Sequence, residues 1–340
     1  MDRLINVAQL EGWIPARFYW GEGKPMVDWC YLGRQRFEAS FFEQTIGKCM
    51  AQPFNLLFRQ QTPIEVLREW HEVRPGLEPT GFIFHMSRSG STLMSRMLTA
   101  IPTNVVISEA RPIDATLRAQ FNSSEVTDDR RIAWLRWMVS ALAQRWRGEE
   151  QHFFIKFDAW NALDLPLIRQ AFPDVPWVFL YRDPVEVMVS QFNQRGAHMI
   201  PGVLPLGLFG MDMQTATSLS PEEYCAKVLA MICKAALQHS RQGGRLINYR
   251  QLPEVVPESL LNFFGLQCSD GQLDTVRAAA KHDAKNPLAT FQNDSRKKNE
   301  SATRAIREAT DEWLYPVYEE LEAARQAQPA ISQPQYSPGQ

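Results

Sequence analysis

Between residues 80 and 250 the chain alternates two hydrophobic patterns. Five short runs, at 81–86, 104–108, 152–157, 177–181 and 245–249, are β-branched and aromatic and are apolar on consecutive positions. Strands covered on both faces have that look, because neither side has to meet water. Helical spacing fills most of the gaps. Thr127 precedes Asp128 and Asp129, with Ile132, Leu135, Val139, Leu142 and Trp146 along one side, which predicts a capped amphipathic helix. Asp183-Pro184 marks a second helix start, a cap followed by a residue that needs no N–H. Ser220-Pro221-Glu222-Glu223 marks a third, with a capping box. Strand and helix in alternation predict an α/β fold with a parallel five-stranded sheet flanked by helices.

The ends of the chain differ from this middle. Residues 1–78 are rich in aromatics (Trp13, Phe18, Tyr19, Trp20, Trp29, Tyr31, Phe37, Phe41, Phe42), with a helix expected over 63–73. They read as the core of an N-terminal cap or helical extension. From 308 to 322 there are six acids and no Lys or Arg, yet Trp313, Leu314, Val317, Tyr318 and Leu321 predict a helix docked by its apolar face. Residues 326–340 lack charge and, apart from Ile331, large aliphatics, the composition of a disordered tail. The division expected is therefore 1–78, an α/β domain over 79–325, and the tail.

Composition narrows the class of function. The chain has 340 residues, 36 Lys+Arg against 38 Asp+Glu, and a net charge of −2, with 45% hydrophobic and 22% charged residues. That balance argues against a polybasic nucleic-acid binder but leaves room for a local anion pocket. No run approaches the ~18 apolar residues of a membrane span. The first residues show no apolar stretch followed by a small-residue cleavage site, so secretion is not expected. The five cysteines (Cys30, Cys49, Cys225, Cys233, Cys268) form no CxxC pair, and the six histidines form no HxH or HExxH pair. Free thiols in a reducing cytoplasm and no structural zinc are the expectation.

The chemistry concentrates after the first of the five runs. A strand enters Ser87-Arg88-Ser89-Gly90-Ser91-Thr92 and an apolar helical stretch leaves it. Small residues let the backbone turn tightly and present successive N–H groups, and the helix start adds its positive dipole end, so the loop reads as a phosphate cradle. Arg88 adds a fixed charge, and the hydroxyls add donors. The nucleotide-hydrolase loop requires Gly-Lys-Ser/Thr, and Gly90 here is followed by Ser91. The Gly-x-Ser-x-Gly elbow of a nucleophilic serine is also missing. A second anion contact follows the fourth run, in Arg182-Asp183-Pro184 with Ser190 eight residues after the arginine. Eight residues is a little over two helical turns, which puts the two positions on nearly one face.

Taken together, the two motifs resemble the sulfotransferase family, enzymes that use 3′-phosphoadenosine 5′-phosphosulfate (PAPS) on a P-loop-NTPase-like fold. The resemblance rests on Arg88 to Thr92, on Arg182 with Ser190, and on their separation, and extends to Ile247-Asn248-Tyr249-Arg250-Gln251-Leu252 and Phe263-Phe264-Gly265-Leu266. It covers roughly residues 80–310 and leaves the N-terminal segment unexplained. It implies that Ser87, Arg88, Ser89, Gly90, Ser91 and Thr92 hold the 5′-phosphosulfate. Arg182 and Ser190 would hold the 3′-phosphate, Tyr249 would lie by the adenine, and Arg296, Lys297 and Lys298 would close over the 3′-phosphate. No metal is implied. Many cytosolic members carry Lys where this chain has Arg88, and arginine does not give up a proton near neutral pH, so any help to the leaving phosphate is by charge and hydrogen bonding.

A hydroxyl acceptor also needs a base. Glu109, after the second run, resembles the glutamate base of carbohydrate- and tyrosyl-type members; a simple pair between Glu109 and Arg111 is the plain alternative. Asp158 is the second candidate, standing where cytosolic members have histidine, and Lys156 would assist the sulfuryl group. The Gly-, Pro- and Met-rich stretch 196–220 reads as a lid or acceptor site for a molecule with an apolar part. The expectation is a cytoplasmic sulfotransferase acting on a hydroxyl, or an amine, of a small molecule or peptide, without nucleic acid or membrane. A kinase-like P-loop enzyme and a non-catalytic nucleotide-binding protein of the same fold are the alternatives.

Overall fold

The computed structural model describes residues 7–33, 35–281 and 295–329. Its five parallel strands are β4 (Pro79–His85), β5 (Asn104–Ser108), β6 (His152–Lys156), β7 (Trp177–Tyr181) and β8 (Gly244–Asn248), in the sheet order β5-β6-β4-β7-β8. Each starts within two residues of its expected position. The reason is their composition: all five residues of β7 are fully buried, a state that only a strand covered on both faces reaches. A first sheet precedes them, with strands β1 (Trp13–Gly21), β2 (Lys24–Tyr31) and β3 (Gln60–Pro63), all antiparallel.

That first sheet is what the expected N-terminal cap or extension is built on, with helices following it. Gly21 pairs with Lys24 across the two-residue turn Glu22-Gly23, and both turn residues have positive φ, 50° and 76°. Such a turn matches the twist of the strands it joins. Trp13, Phe18, Trp29, Phe37 and Phe42 are buried, and Trp29 Nε1 donates to Thr62 Oγ1 at 2.9 Å. A helix does follow at Val66–Val73, three residues later than expected.

Contacts divide the chain into two compact units, Met1–Phe82 with Pro102–Val175, and Ile83–Ile101 with Pro176–Gln340. The first holds β1–β3, β5 and β6 and the helix Asp128–Leu142, where Thr127 accepts from Arg130 N–H as the pattern predicts. The second holds β7 and β8, the helices Ser91–Thr99, Pro184–Asn193 and Pro221–His239, and the C-terminal helices. Asp183 caps the Pro184–Asn193 helix, and Ser220 with Glu223 closes a capping box. The strand start Gly244 is dictated by packing: a Cβ there would lie 2.3 Å from Trp177 Cζ2.

In the same unit, the acidic C-terminal run forms two helices, Arg304–Ala309 and Tyr315–Ala327, joined by a wide turn at Thr310–Leu314. Leu314, Val317 and Leu321 are buried as expected. The stretch 196–220 is not an open loop. It contains short helical turns at Ala197–Met199, Leu206–Phe209 and Met213–Ser218, with Met199 and Phe209 buried and Ile200, Val203 and Met213 exposed.

Candidate active site

The second unit carries the loop that follows β4. Met86 N–H donates to Leu180 O at 3.0 Å, and beyond it the chain turns into left-handed backbone at Ser87 (φ 72°), Arg88 (φ 52°) and Gly90 (φ 89°) before the Ser91–Thr99 helix begins. Left-handed backbone at a residue with a Cβ is costly, about 1–3 kcal/mol each, and persists only where the surroundings impose it. Here they do. Ser89 Oγ donates to Leu180 O at 2.9 Å, Ser87 N–H donates to His85 Nδ1 at 3.0 Å, and Ser87 Oγ accepts from Gln191 Nε2 at 2.8 Å. Arg88 Nη2 donates to the Gln194 carbonyl at 2.5 Å and to Gln194 Oε1 at 3.3 Å. The hydroxyl of Ser89, expected as a ligand donor, is therefore committed to β7; what Ser89 offers a ligand is its N–H.

Gly90 is the point where distant parts of this unit meet the loop. A Cβ at that position would lie 2.8 Å from Tyr249 Cδ2 and 2.8 Å from Leu252 Cδ1. Tyr249 follows β8 directly and opens a short turn capped by Asn248. The Arg182 guanidinium lies over the Tyr249 ring, its Cζ 4.0 Å from the ring centroid. It is 5% exposed, and Glu186 Oε2 stands 2.5 Å from both its Nε and its Nη2. Glu186 was invisible as a site residue, although its i,i+4 spacing from Arg182 was a signal. Ser190 lies one turn further along that helix, and the Ser295–Ser301 helix packs against it. On the latter helix Arg296 is 92% exposed and pairs with Glu300 at 2.8 Å; Lys297 is exposed and Lys298 half-buried. The rest of the basic stretch, residues 282–294, lies outside the described residues.

The first unit carries the base candidates. Glu109 follows β5 with φ 54°, and its N–H donates to Lys156 O at 2.7 Å. Its Oε1 is 2.9 Å from Lys156 Nζ, an ion pair by distance rather than a well-angled hydrogen bond. Lys156 is fully buried and its Nζ lies 4.8 Å from the Phe41 ring centroid. Arg111 pairs with Glu43 at 3.6 Å, so the simple Glu109–Arg111 pair is not what forms. Asp158 caps the Ala159–Asp164 turn in a capping box with Asn161. Burial, then the Asp114 and Glu109 carboxylates, push the Asp158 carboxyl well above the usual range, against the pull of Lys156 and Arg118.

Behind Asp158 lies a charged network that sequence inspection did not single out. Asp114 Oδ1 accepts from Trp160 Nε1 at 2.6 Å, Asn161 Nδ2 at 2.8 Å and Arg118 Nη2 at 2.9 Å. Asp164 stands 3.4 Å from Arg118 and 3.7 Å from Arg131, and burial lifts its carboxyl to about 6 despite them. Among the described residues, four with side chains have positive φ, and three of them are Ser87, Arg88 and Glu109. Strained backbone thus falls on residues chosen from sequence for their chemistry.

Residues 79–201, the stretch that contains the loop, Glu109, Lys156, Asp158, Arg182 and Ser190, match the model of the sulfotransferase family. Over this stretch the chain is similar to that family. No curated protein matches the chain in sequence. Among solved structures the chain is similar to sulfotransferase STF9 from Mycobacterium avium, at 14% identity over 74% of this chain and 81% of that one, with a TM-score of 0.44. It is similar to a sulfotransferase from Alicyclobacillus acidocaldarius, at 15% identity over 74% and 97%, with a TM-score of 0.44. A third likeness is to retinol dehydratase in complex with androsterone and the inactive cofactor PAP, at 15% identity over 81% and 91%, with a TM-score of 0.31. The sulfotransferase match stops short of Tyr249 and of Arg296 to Lys298.

Proposed function

We propose that the protein is a PAPS-dependent sulfotransferase that moves a sulfuryl group to a hydroxyl of a small molecule or peptide. One observation carries the reading: Tyr249, from a distant part of the chain, links the other two stretches, its ring edge lying against the loop at Gly90 and its ring lying 4.0 Å from the Arg182 guanidinium. A loop with N–H donors and Arg88 suits a 5′-phosphosulfate, and a buried arginine beyond an aromatic ring suits a second phosphate on the same nucleotide. The donor set fits the group. It is N–H groups, hydroxyls and guanidinium, donors that suit a phosphosulfate and a second phosphate.

When bound, PAPS would supply the sulfuryl group, with the 5′-phosphate as the leaving group, and the residues here would hold it for transfer to the acceptor oxygen. Arg88 and the loop N–H groups answer the charge that grows on the leaving phosphate. Glu109 takes the acceptor proton; its exposed share is about a quarter of the side chain, whereas the Asp158 carboxyl is tied into its capping box. Lys156, wholly enclosed, acts through Glu109 by fixing its carboxylate at 2.9 Å rather than by touching substrate. The exposed apolar residues Ile200, Val203 and Met213 are the proposed contacts for an apolar part of the acceptor. A cytoplasmic location goes with the reading.

The test is thermal shift with 3′-phosphoadenosine 5′-phosphate (PAP) against ATP-Mg, followed by transfer of ³⁵S from labelled PAPS to candidate acceptors. Saturating PAP at 100 times its Kd should stabilise by about 2.7 kcal/mol. Stabilisation by ATP-Mg and not by PAP would turn the reading toward a kinase-like enzyme.

A further inference from the structure

Gln191 belongs to none of the motifs, yet it is fully buried and both ends of its amide are engaged across the second unit. Its Nε2 donates to Ser87 Oγ at 2.8 Å, and its Oε1 accepts from Gly196 N–H at 3.1 Å. Ser87 is the first of the two left-handed side-chain residues of the loop, and Gly196 is the root of the 196–220 stretch. Gln194, three residues on, holds the second left-handed residue through two bonds from Arg88. Its carbonyl lies at the carboxyl end of the Pro184–Asn193 helix, where the dipole favours a cation. The turn beyond is equally constrained: a Cβ on Gly196 would meet His198 Cε1 at 2.7 Å.

From this geometry we infer that Gln191 is a positioning residue. It holds Ser87 in left-handed backbone, at the start of the turn that Gln194 holds at Arg88, so that the loop N–H groups stay aimed at one anion, and it couples that loop to the root of the 196–220 stretch. Left-handed backbone at two successive side-chain residues needs an external hold, and a glutamine amide is suited to it, having one donor end and one acceptor end. An isosteric apolar residue would fill the same space and supply neither bond. The purpose assigned to Gln191 rests on the cofactor reading above; the hold itself does not.

The experiment compares the wild type with Gln191→Met and Ser87→Ala, first without ligand, by hydrogen exchange read peptide by peptide. Losing a buried hydrogen bond of about 1 kcal/mol should speed exchange roughly five- to tenfold over residues 85–95 in either variant. Residues 194–200 should speed up in Gln191→Met alone, because Ser87→Ala leaves the Gly196 bond in place. Unchanged exchange at 85–95 in both variants overturns the inference, and Ser87→Ala answers even if the buried substitution does not fold. PAP titration by calorimetry then separates the two claims. Wild-type protein that binds no PAP sinks the cofactor reading, while the exchange result still decides the role of Gln191. Where PAP does bind, each variant should weaken it roughly tenfold and the double variant no more than that, since both remove one bond. Additive losses would mean that Gln191 serves packing alone.

Discussion

The pair formed by Glu109 and Lys156 permits a test that separates chemistry from folding. Lys156 is fully enclosed, and its charge has Glu109 at 2.9 Å and the Phe41 face at 4.8 Å. Glu109→Gln keeps an acceptor oxygen for the ammonium but removes the opposing charge. Stripping a buried charge of its partner costs about 3–5 kcal/mol, and the quarter of Glu109 that water reaches puts the expectation near the lower end, about 3 kcal/mol. At about 2–4 °C per kcal/mol for a body of this size, unfolding should fall by about 6–12 °C. Adding Lys156→Met replaces the orphaned charge by an unbranched apolar chain that lies against Phe41, and should return the double variant to within about 1 kcal/mol of wild type. Differential scanning calorimetry at one scan rate, with all four proteins, reads the cycle. A Glu109→Gln variant that melts with the wild type, or a double variant no more stable than Glu109→Gln, refutes the buried-pair argument. Sulfuryl transfer measured on the same proteins then isolates the base. If Glu109 takes the proton, turnover stays lost in the double variant although its stability has returned.

Further outcomes follow from other parts of the structure. Gly90→Ala forces a Cβ into contact with Tyr249 and Leu252 in left-handed backbone, and should cost about 2–4 kcal/mol in thermal unfolding together with PAP affinity in calorimetry. Arg88→Ala should abolish ³⁵S transfer, whereas Arg182→Ala should chiefly weaken PAP; equal effects on both readouts would merge the two roles. At the C-terminal helix, burial raises the Glu322 carboxyl, but bonds from Arg325, Tyr181 and Asn248 outweigh it and bring it to about 2, against an ordinary 4.5. A lowered native value means that the unfolded chain binds the proton more readily. The stability this gives is therefore present above pH 4.5 and is lost as pH falls toward 2. Melting temperature against pH should show that acid slope, and Glu322→Gln should flatten it.

Much of the fold was legible because the signals are local. The five strands of the parallel sheet are continuous apolar runs, and the caps Thr127, Asp183 and Ser220 make their bonds within three residues of themselves. The N-terminal sheet was missed because its strands are aromatic on both faces, and the turn that reveals it, Glu22-Gly23, carries a weaker version of the usual hairpin signature. Candidate site residues were legible where charge and small residues stood out, as at Arg88, Gly90, Arg182 and Glu109. Gln191, Glu186 and Asp114 were not, because an amide or a carboxylate on a helix looks alike whether it faces water or a buried partner.

By itself the sequence determined the alternation of strands and helices and the tight turn of small residues after β4, and it marked which residues are candidates to hold an anion or take a proton. Those depend on side-chain type and on spacing within a few turns. Tertiary structure alone decided that Lys156 is enclosed and answered by Glu109, that Tyr249 lies against Gly90 and under the Arg182 guanidinium, and that Ser87, Arg88 and Glu109 sit in strained backbone. These are properties of burial and of contacts across tens to hundreds of residues, and burial is what turns a common charge into a specific one.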